Sequence, residues 1–171
     1  FDLYKDGAEV AFLANEKEQS EKLCDTALDK AQNKFDKSTI HAIKIRQKAG
    51  EGKYLEASDE GILALNLFDY KLPVISDQEF YTQEGNTEIG AYLQTIQEEV
   101  PLADIPNLPI LSDKGHLMCI QVISMMLDAV FLGAPYAYLY VLVKAVNTSL
   151  QHGQSEYFPF LLTNMGIIHA S

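Results

Sequence analysis

Two segments of this chain carry the same helical pattern at a fixed offset. Asn15-Glu16-Lys17-Glu18-Gln19-Ser20, followed by Ala27-Leu28, is answered by Gly52-Lys53-Tyr54-Leu55-Glu56-Ala57, followed by Ala64-Leu65. Ser20 falls on Ala57, Ala27 on Ala64 and Leu28 on Leu65, each pair 37 residues apart. A self-similar period of this size marks a stack of helix pairs, because one pair cannot bury its apolar face alone and a neighbour completes it. Ser20, Ala27, Leu28, Tyr54, Ala57, Ala64 and Leu65 are therefore the expected repeat-packing residues. Small Ala57 and Ala64 let helices approach, and Tyr54 packs its ring while keeping its hydroxyl at the edge.

The rest of the chain reads as helix almost throughout. Apolar spacing predicts a first helix over 2–14 and a second over 16–34, with Leu23, Ala27, Leu28 and Ala31 on one face. Asp36 is the expected N-cap of a third helix reaching Ala49, with Ile40, Ile43 and Ile45 inside. Gly50 and Gly52 mark the turn. Tyr54, Ala57, Ile62, Leu65 and Phe68 form a fourth helix, stopped at Leu72-Pro73. Residues 74–111 break the pattern: an irregular helix, opened at Ser76-Asp77 with Ser76 and Glu79 as a capping box, runs through Ile89, Tyr92, Leu93 and Ile96 to Val100, with Gly85-Asn86 as the place where it bends or breaks. A proline-rich connector, Pro101 to Pro109, follows. Ser112-Asp113 opens a helix to Phe131. Gly133-Ala134-Pro135 starts another, which carries Tyr138 and Leu142 and ends at Gly153. A last helix covers 155–169. The expected fold is all-α, about eight helices in antiparallel pairs stacked as an α-solenoid: two pairs in 1–73, an insertion over 74–111, and two further pairs or parts of them in 112–171.

Charge narrows the partners. The chain of 171 residues has a net charge of −11, which argues against nucleic acid and anionic membrane. Residues 1–100 carry 20 acidic and 11 basic side chains, and residues 101–171 carry 4 and 2, so the second part is expected to lie deeper. The longest uncharged runs there, Gly115–Leu127 and Ala129–Val143, hold 13 and 15 residues. Both are shorter than the roughly 18 apolar residues that a membrane span needs, so buried helices are expected. Cys24 and Cys119 sit in unrelated apolar patterns and read as reduced, packed thiols of a cytoplasmic protein. The chain opens on Phe1 inside a helical pattern and closes just after Ile167-Ile168, so both ends are expected to be internal to a longer protein.

No pattern of catalytic residues emerges. His41, His116, His152 and His169 make no HExxH. His116, Met118 and Cys119 are near neighbours, but they read as a helix start with packed sulfur side chains rather than a soft-metal site. Asp59-Glu60 and Glu98-Glu99 point about 100° apart as helical neighbours and do not converge as an acid–base pair. Ser149 and Ser155 flank His152 without an oriented acid or a GxSxG turn. No enzyme activity, cofactor or metal is expected of this segment. Tyr136, Tyr138, Tyr140, Tyr157, Phe158 and Phe160 form an aromatic group that reads first as inter-helix packing. Tyr136, Tyr140, Tyr157 and Phe158 are its candidates for an interaction surface.

The stretch Leu3–Pro73 resembles the tetratricopeptide-like helical region of large multidomain signalling ATPases, common in cyanobacteria and other bacteria. Gly7-Ala8-Glu9-Val10-Ala11-Phe12, Asp36-Lys37, Gly52 to Ala57 and Gly61 to Phe68 carry the resemblance. Ile105 to Asp113, Ala134-Pro135 and Lys144 to Ser155 extend it across nearly the whole chain. The resemblance implies a scaffold or regulatory region inside a sensor protein whose protein-kinase-like, P-loop ATPase and histidine-kinase modules lie elsewhere. GxxxxGK[ST], HRD and DFG are absent here, so it carries over no catalytic residue. Implied partners are other domains of the parent chain or a signalling protein, with self-association of the fragment as a further reading. The alternative is a small-molecule sensor with an apolar pocket lined by Met125, Met126, Phe131 and the tyrosines.

Overall fold

A computed structural model describes residues 1–99, 105 and 107–170. Val100 and most of the proline-rich connector lie outside the described residues. Among them the fold is all-α, with nine helices: α1 (Asp2–Leu13), α2 (Lys17–Lys30), α3 (Lys34–Gly50), α4 (Tyr54–Asn66), α5 (Gln78–Thr82), α6 (Glu84–Glu99), α7 (Lys114–Gly133), α8 (Pro135–His152) and α9 (Phe158–Ala170). Helix α1 packs on α2, α3 on α4 and α7 on α8, while α2 meets α3, α4 meets α7 and α9 lies on α8. Helices α5 and α6 are inserted between the second and third pairs and pack on α8.

The 37-residue offset recurs in the backbone of the first two turns. Ala14 (φ −76°, ψ 0°) matches Glu51 (φ −90°, ψ −2°), and Glu16 (φ −90°, ψ 69°) matches Lys53 (φ −86°, ψ 61°). Between them, Asn15 and Gly52 both take positive φ, 61° and 76°. These are the two residue types that enter the left-handed region at least cost. The hydrogen bonds repeat as well. The N–H of Glu16 donates to the Ala11 carbonyl at 2.8 Å and that of Lys53 to the Lys48 carbonyl at 2.9 Å. The third pair is joined differently, by Ala134 alone, with Pro135 at the first helical position.

Several boundaries differ from the sequence expectation. Asn33, not Asp36, caps α3: its side-chain oxygen accepts from the N–H groups of Phe35 and Asp36 at 2.9 and 3.0 Å. Asp36 sits in the first turn and accepts from the Asn33 amide at 2.9 Å. Of the expected pair Ser76-Asp77, it is Asp77 that caps α5, in place of a Ser76–Glu79 box. The break expected at Gly85-Asn86 falls instead at Gln83 (φ −116°, ψ −86°), which divides the irregular segment into α5 and α6 and makes nine helices where about eight are expected. The 112–171 region holds three helices, α7, α8 and α9.

Two cores result. Ala8, Cys24, Ala27, Ile40 and Ile43 fill the space between α1, α2 and α3. A larger core begins at Ile45 and runs through α4, α7 and α8 to Phe158 and Leu161. The second depends on a close antiparallel crossing of α4 and α7. A Cβ on Gly61 would stand 2.5 Å from the Met126 sulfur, and one on Gly133 would stand 2.9 Å from Tyr54 Cβ and 3.2 Å from the Leu55 backbone nitrogen. Ala57, Ala64 and Leu65 are buried beside this crossing, as the repeat predicts. By length and composition α7, with 20 residues, is apolar enough to cross a membrane. Here it is packed against α3, α4 and α8.

The crossing can be probed with one methyl group. Gly133→Ala is expected to destabilise by roughly 1–3 kcal/mol, because backbone atoms of α4 leave no room and overpacking outweighs the gain in helix propensity. Gly90→Ala, on an open face of α6 with nothing within 4 Å, is expected to stabilise by about 0.5–1 kcal/mol. Urea denaturation midpoints of the two variants check the opposite signs.

Candidate functional site

The tyrosine-rich helix α8 is roofed by the α5–α6 insertion. Tyr81 of α5 sets its ring 5.4 Å from Tyr140 and 6.2 Å from Tyr136. Phe80 and Tyr92 add edge contacts to Tyr140 at 5.7 and 6.2 Å. Edge-to-face pairs at these separations are the favoured aromatic geometry. The polar tips find partners. The Tyr81 hydroxyl donates to the Pro73 carbonyl at 3.0 Å, and the Tyr140 hydroxyl donates to Glu88 of α6 at 2.7 Å. Burial, and then the bond to Glu88, push Tyr140 well above the ordinary phenol range. Lys144, one turn further along α8, donates to the Lys71 carbonyl at 2.6 Å and lies over the rings of Tyr70 and Tyr140. Burial lowers its pKa, and the Glu88 charge opposes that shift.

This arrangement corrects the expected interaction surface. Tyr140 is 2% exposed and Phe158 1%, so both belong to the core. Tyr136 and Tyr157 are half-buried against it. Tyr136 and Tyr140 do share a face of α8, and that face is covered by Tyr81. Of the side chains expected to line an apolar pocket, Met126 is buried against Gly61, and Phe131 is exposed and rests edge-on against Tyr138.

A cleft of about 460 Å³ opens at one end of the bundle. The start of α3 (Lys34, Phe35), the residues after α4 (Phe68, Asp69, Tyr70) and the start of α7 (Ser112 to His116, with Cys119) line it. Lys34 stands 4.8 Å over the Phe68 ring, and Phe35 meets Phe68 edge-on at 5.1 Å. Asp113 caps α7: it accepts from the His116 N–H at 2.7 Å and lies 3.0 Å from the His116 ring nitrogen. The backbone bond from His116 holds the Asp113 carboxyl below its usual range. The His116 ring stacks on His152 at 3.8 Å. Burial pushes the Cys119 thiol up to about 12. Both helix starts are occupied by their own capping side chains, so the cleft offers mixed charge and aromatic edges rather than a free anion cradle.

A third polar group lies in the seam between the first two pairs. Ser20 donates to the Ala8 carbonyl at 2.6 Å and accepts from the Gln47 amide, which also approaches Cys24. His41 lies 2.7 Å from Glu60, and Lys44 bonds Asp25 at 2.8 Å. Burial opposes the charge on Lys44, but the bond to Asp25 and the Glu60 carboxylate outweigh it and raise its pKa. Asp59 is exposed while Glu60 is buried, so the adjacent carboxylates diverge as expected. Ser149 is buried and donates to the Ala145 carbonyl, and Ser155 accepts from the Tyr157 N–H. Neither serine engages His152. Comparison with protein-family models, with curated proteins and with solved structures finds no match to this chain.

Sequence reasoning missed the His116–His152 stack, Gln47 as a seam residue and the Tyr81–Tyr140–Glu88 group. A signal existed for the first. The Asp113 cap and Gly153 mark the start of α7 and the end of α8, and an antiparallel pair brings those ends together. The other two depend on which faces of non-adjacent helices meet, which spacing along one helix does not contain.

Tyr140→Phe is expected to cost about 0.5–1.5 kcal/mol and to speed amide exchange in α6 more than in α7; urea midpoints and exchange mass spectrometry test both. For Cys119, a folded-state pKa of about 12 against an ordinary 9.0 means the unfolded chain releases the proton first. The stability tied to this thiol is thus intact below pH 9.0 and lost as pH rises toward about 12. Wild type is expected to lose more stability than Cys119→Ala across that window. Thiol reagents are expected to label both cysteines quickly only after unfolding.

Proposed function

We propose that this chain is a non-catalytic helical-repeat scaffold, a regulatory region of a cytoplasmic multidomain signal-transduction protein that works through protein contacts. The observation that carries this reading is the reuse of one inter-helix turn, dihedral by dihedral and bond by bond, at the 37-residue offset. A unit copied in this way builds extended surface by addition, which is how stacked helix pairs present faces to other proteins. The polar groups described above support the same reading, since Ser20, Gln47, Glu88 and Tyr140 each hold one helix to another. Partners of this scaffold are other domains of the parent protein or a signalling protein, and the resemblance of Leu3–Pro73 and the later segments to signalling ATPases is what suggests the ATPase and kinase modules. The net charge of −11 disfavours nucleic acid.

A second reading, a small-molecule sensor, draws on the cleft between Lys34, Tyr70 and His116, whose volume of about 460 Å³ fits a small ligand.

A photo-cross-linking residue at exposed Leu63, introduced into the protein in its native cells, separates the readings. Cross-links to a defined protein or to other parts of the parent polypeptide are expected. Their absence, together with a small molecule that raises the melting temperature of the purified chain, would move the assignment to the sensor. At 100 times its dissociation constant such a ligand adds about 2.7 kcal/mol. Saturable turnover of a nucleotide or an ester by the purified chain would overturn the non-catalytic reading.

A further inference from the structure

We infer that the outer face of α1 is a docking surface for a further α-helix with a small-residue contact seam, an inference that rests on the scaffold reading above. Leu3, Asp6, Val10 and Leu13 follow the three-and-four spacing of a single helix face. Leu3 is 81% exposed, Val10 65% and Leu13 83%. Scattered exposed apolar residues need no explanation, but these stand in register with a face that the chain buries elsewhere.

Thirty-seven residues on, the equivalent positions of α3 are Ile40, Ile43, Gln47 and Gly50. Those four are how α3 meets the pair before it. Ile40 and Ile43 are buried with Cys24 and Ala27 of α2, Gln47 bonds Ser20 of α2, and a Cβ on Gly50 would lie 3.6 Å from the Phe12 ring of α1. The opposite faces of α1 and α3 also correspond. Ala8 is buried in the first core and its equivalent, Ile45, in the second. Only Leu3 and Ile40 are apolar at both equivalent positions, but the face that α3 buries is the one on which α1 exposes Leu3, Val10 and Leu13.

The same comparison states what the occupant looks like. On α2 the receiving seam is Ser20, Cys24 and Ala27, small residues that admit the isoleucines of α3. A helix covering α1 needs small residues opposite Leu3 and Val10. It also needs a small one opposite Leu13, which takes more room than Gly50 does. Asp6 stands where α3 has Ile43, and its near cation is half-buried Lys5 at 3.2 Å, so the occupant carries a Lys or Arg beside its exposed side. A second copy of this chain does not meet these needs. Its α2 seam is covered by α3 and its α4 seam by α7, and its own α1 would bring leucine against leucine and Asp6 toward Asp6.

The test adds a repeat to the intact chain. Residues 1–37 are duplicated ahead of Phe1, with Phe12→Ala and Asp25→Lys in the added unit only, and the receiving helix carries Val10→Cys. Maleimide labelling of that thiol is expected to be about tenfold slower than in the Val10→Cys chain without the added unit. An unchanged rate, with circular dichroism showing the added helices formed, overturns the proposal. A measurement that does not need the added unit to fold is the Leu3→Asp/Val10→Asp double variant of the 171-residue chain. Its urea midpoint is expected to equal that of wild type. A lowered midpoint means the face serves this chain's own packing and overturns the proposal. So does a wild-type dimer in sedimentation that the double variant abolishes, because the occupant is then a second copy. If docking fails while cross-links from Leu63 persist, the α1 surface is lost and the scaffold reading stands; enzymatic turnover removes the scaffold reading whatever α1 does.

Discussion

Helices α4 and α7 approach with a missing side chain at two places, Gly61 beneath Met126 and Gly133 beneath Tyr54. The first two helix pairs meet the tyrosine-rich half chiefly through that crossing. The glycines and the small Ala57 and Ala64 set the distance, and the distance decides which larger residues seal the core on either side. Dispersion falls steeply with separation, so a shift of a few tenths of an ångström here would loosen Leu65, Ile123 and Met126 together. Smaller polar ties, Tyr70 to Thr148 and Lys144 to the Lys71 carbonyl, pin the same halves at the edge of the contact.

The two cores meet that constraint with different chemistry. The first is small and is threaded by the Ser20–Gln47 bond, whose groups satisfy one another inside the seam. A buried polar pair with both partners present costs little, while the loss of either leaves a dry, unpaired group. Such a pair fixes which face of α3 meets α2 more tightly than apolar contact alone would. The second core is large and mostly apolar, and its bond from Tyr140 to Glu88 lies at the margin, where α6 closes over α8.

Much of this was legible in the residues, and the boundary of legibility has a physical cause. The repeat was readable because Ser20, Ala27, Ala57 and Ala64 are small for a packing reason that acts at the same depth in each pair. The close of α8 was readable because Gly153 supplies a positive φ of 117°. The α3 cap was misplaced because Asn33 and Asp36 are both capping residues, and their mutual bond makes one helper and one cap. The tyrosines misled in a different way. A ring with a hydroxyl is equally suited to a partner surface and to a core margin, and only the return of α5–α6 onto α8 decides between them. That return is a long-range event that no helical period encodes. The cleft at Lys34 and His116 was invisible for the same reason, being built from three separate helix ends.

The connector that precedes α7 does not simply lead into it. Leu111 donates to the Gln154 carbonyl at 2.9 Å and Gln154 donates to the Pro109 carbonyl at 2.8 Å, so two short stretches run side by side across Gly153, where a Cβ would lie 2.6 Å from the Pro109 oxygen. The entry to α7 and the exit from α8 are thereby tied at one knot, and the α7–α8 hairpin hangs from it as a closed loop. In mechanical terms this is a shunt. A load applied along α9 would meet these two bonds before it meets the α7–α8 hairpin.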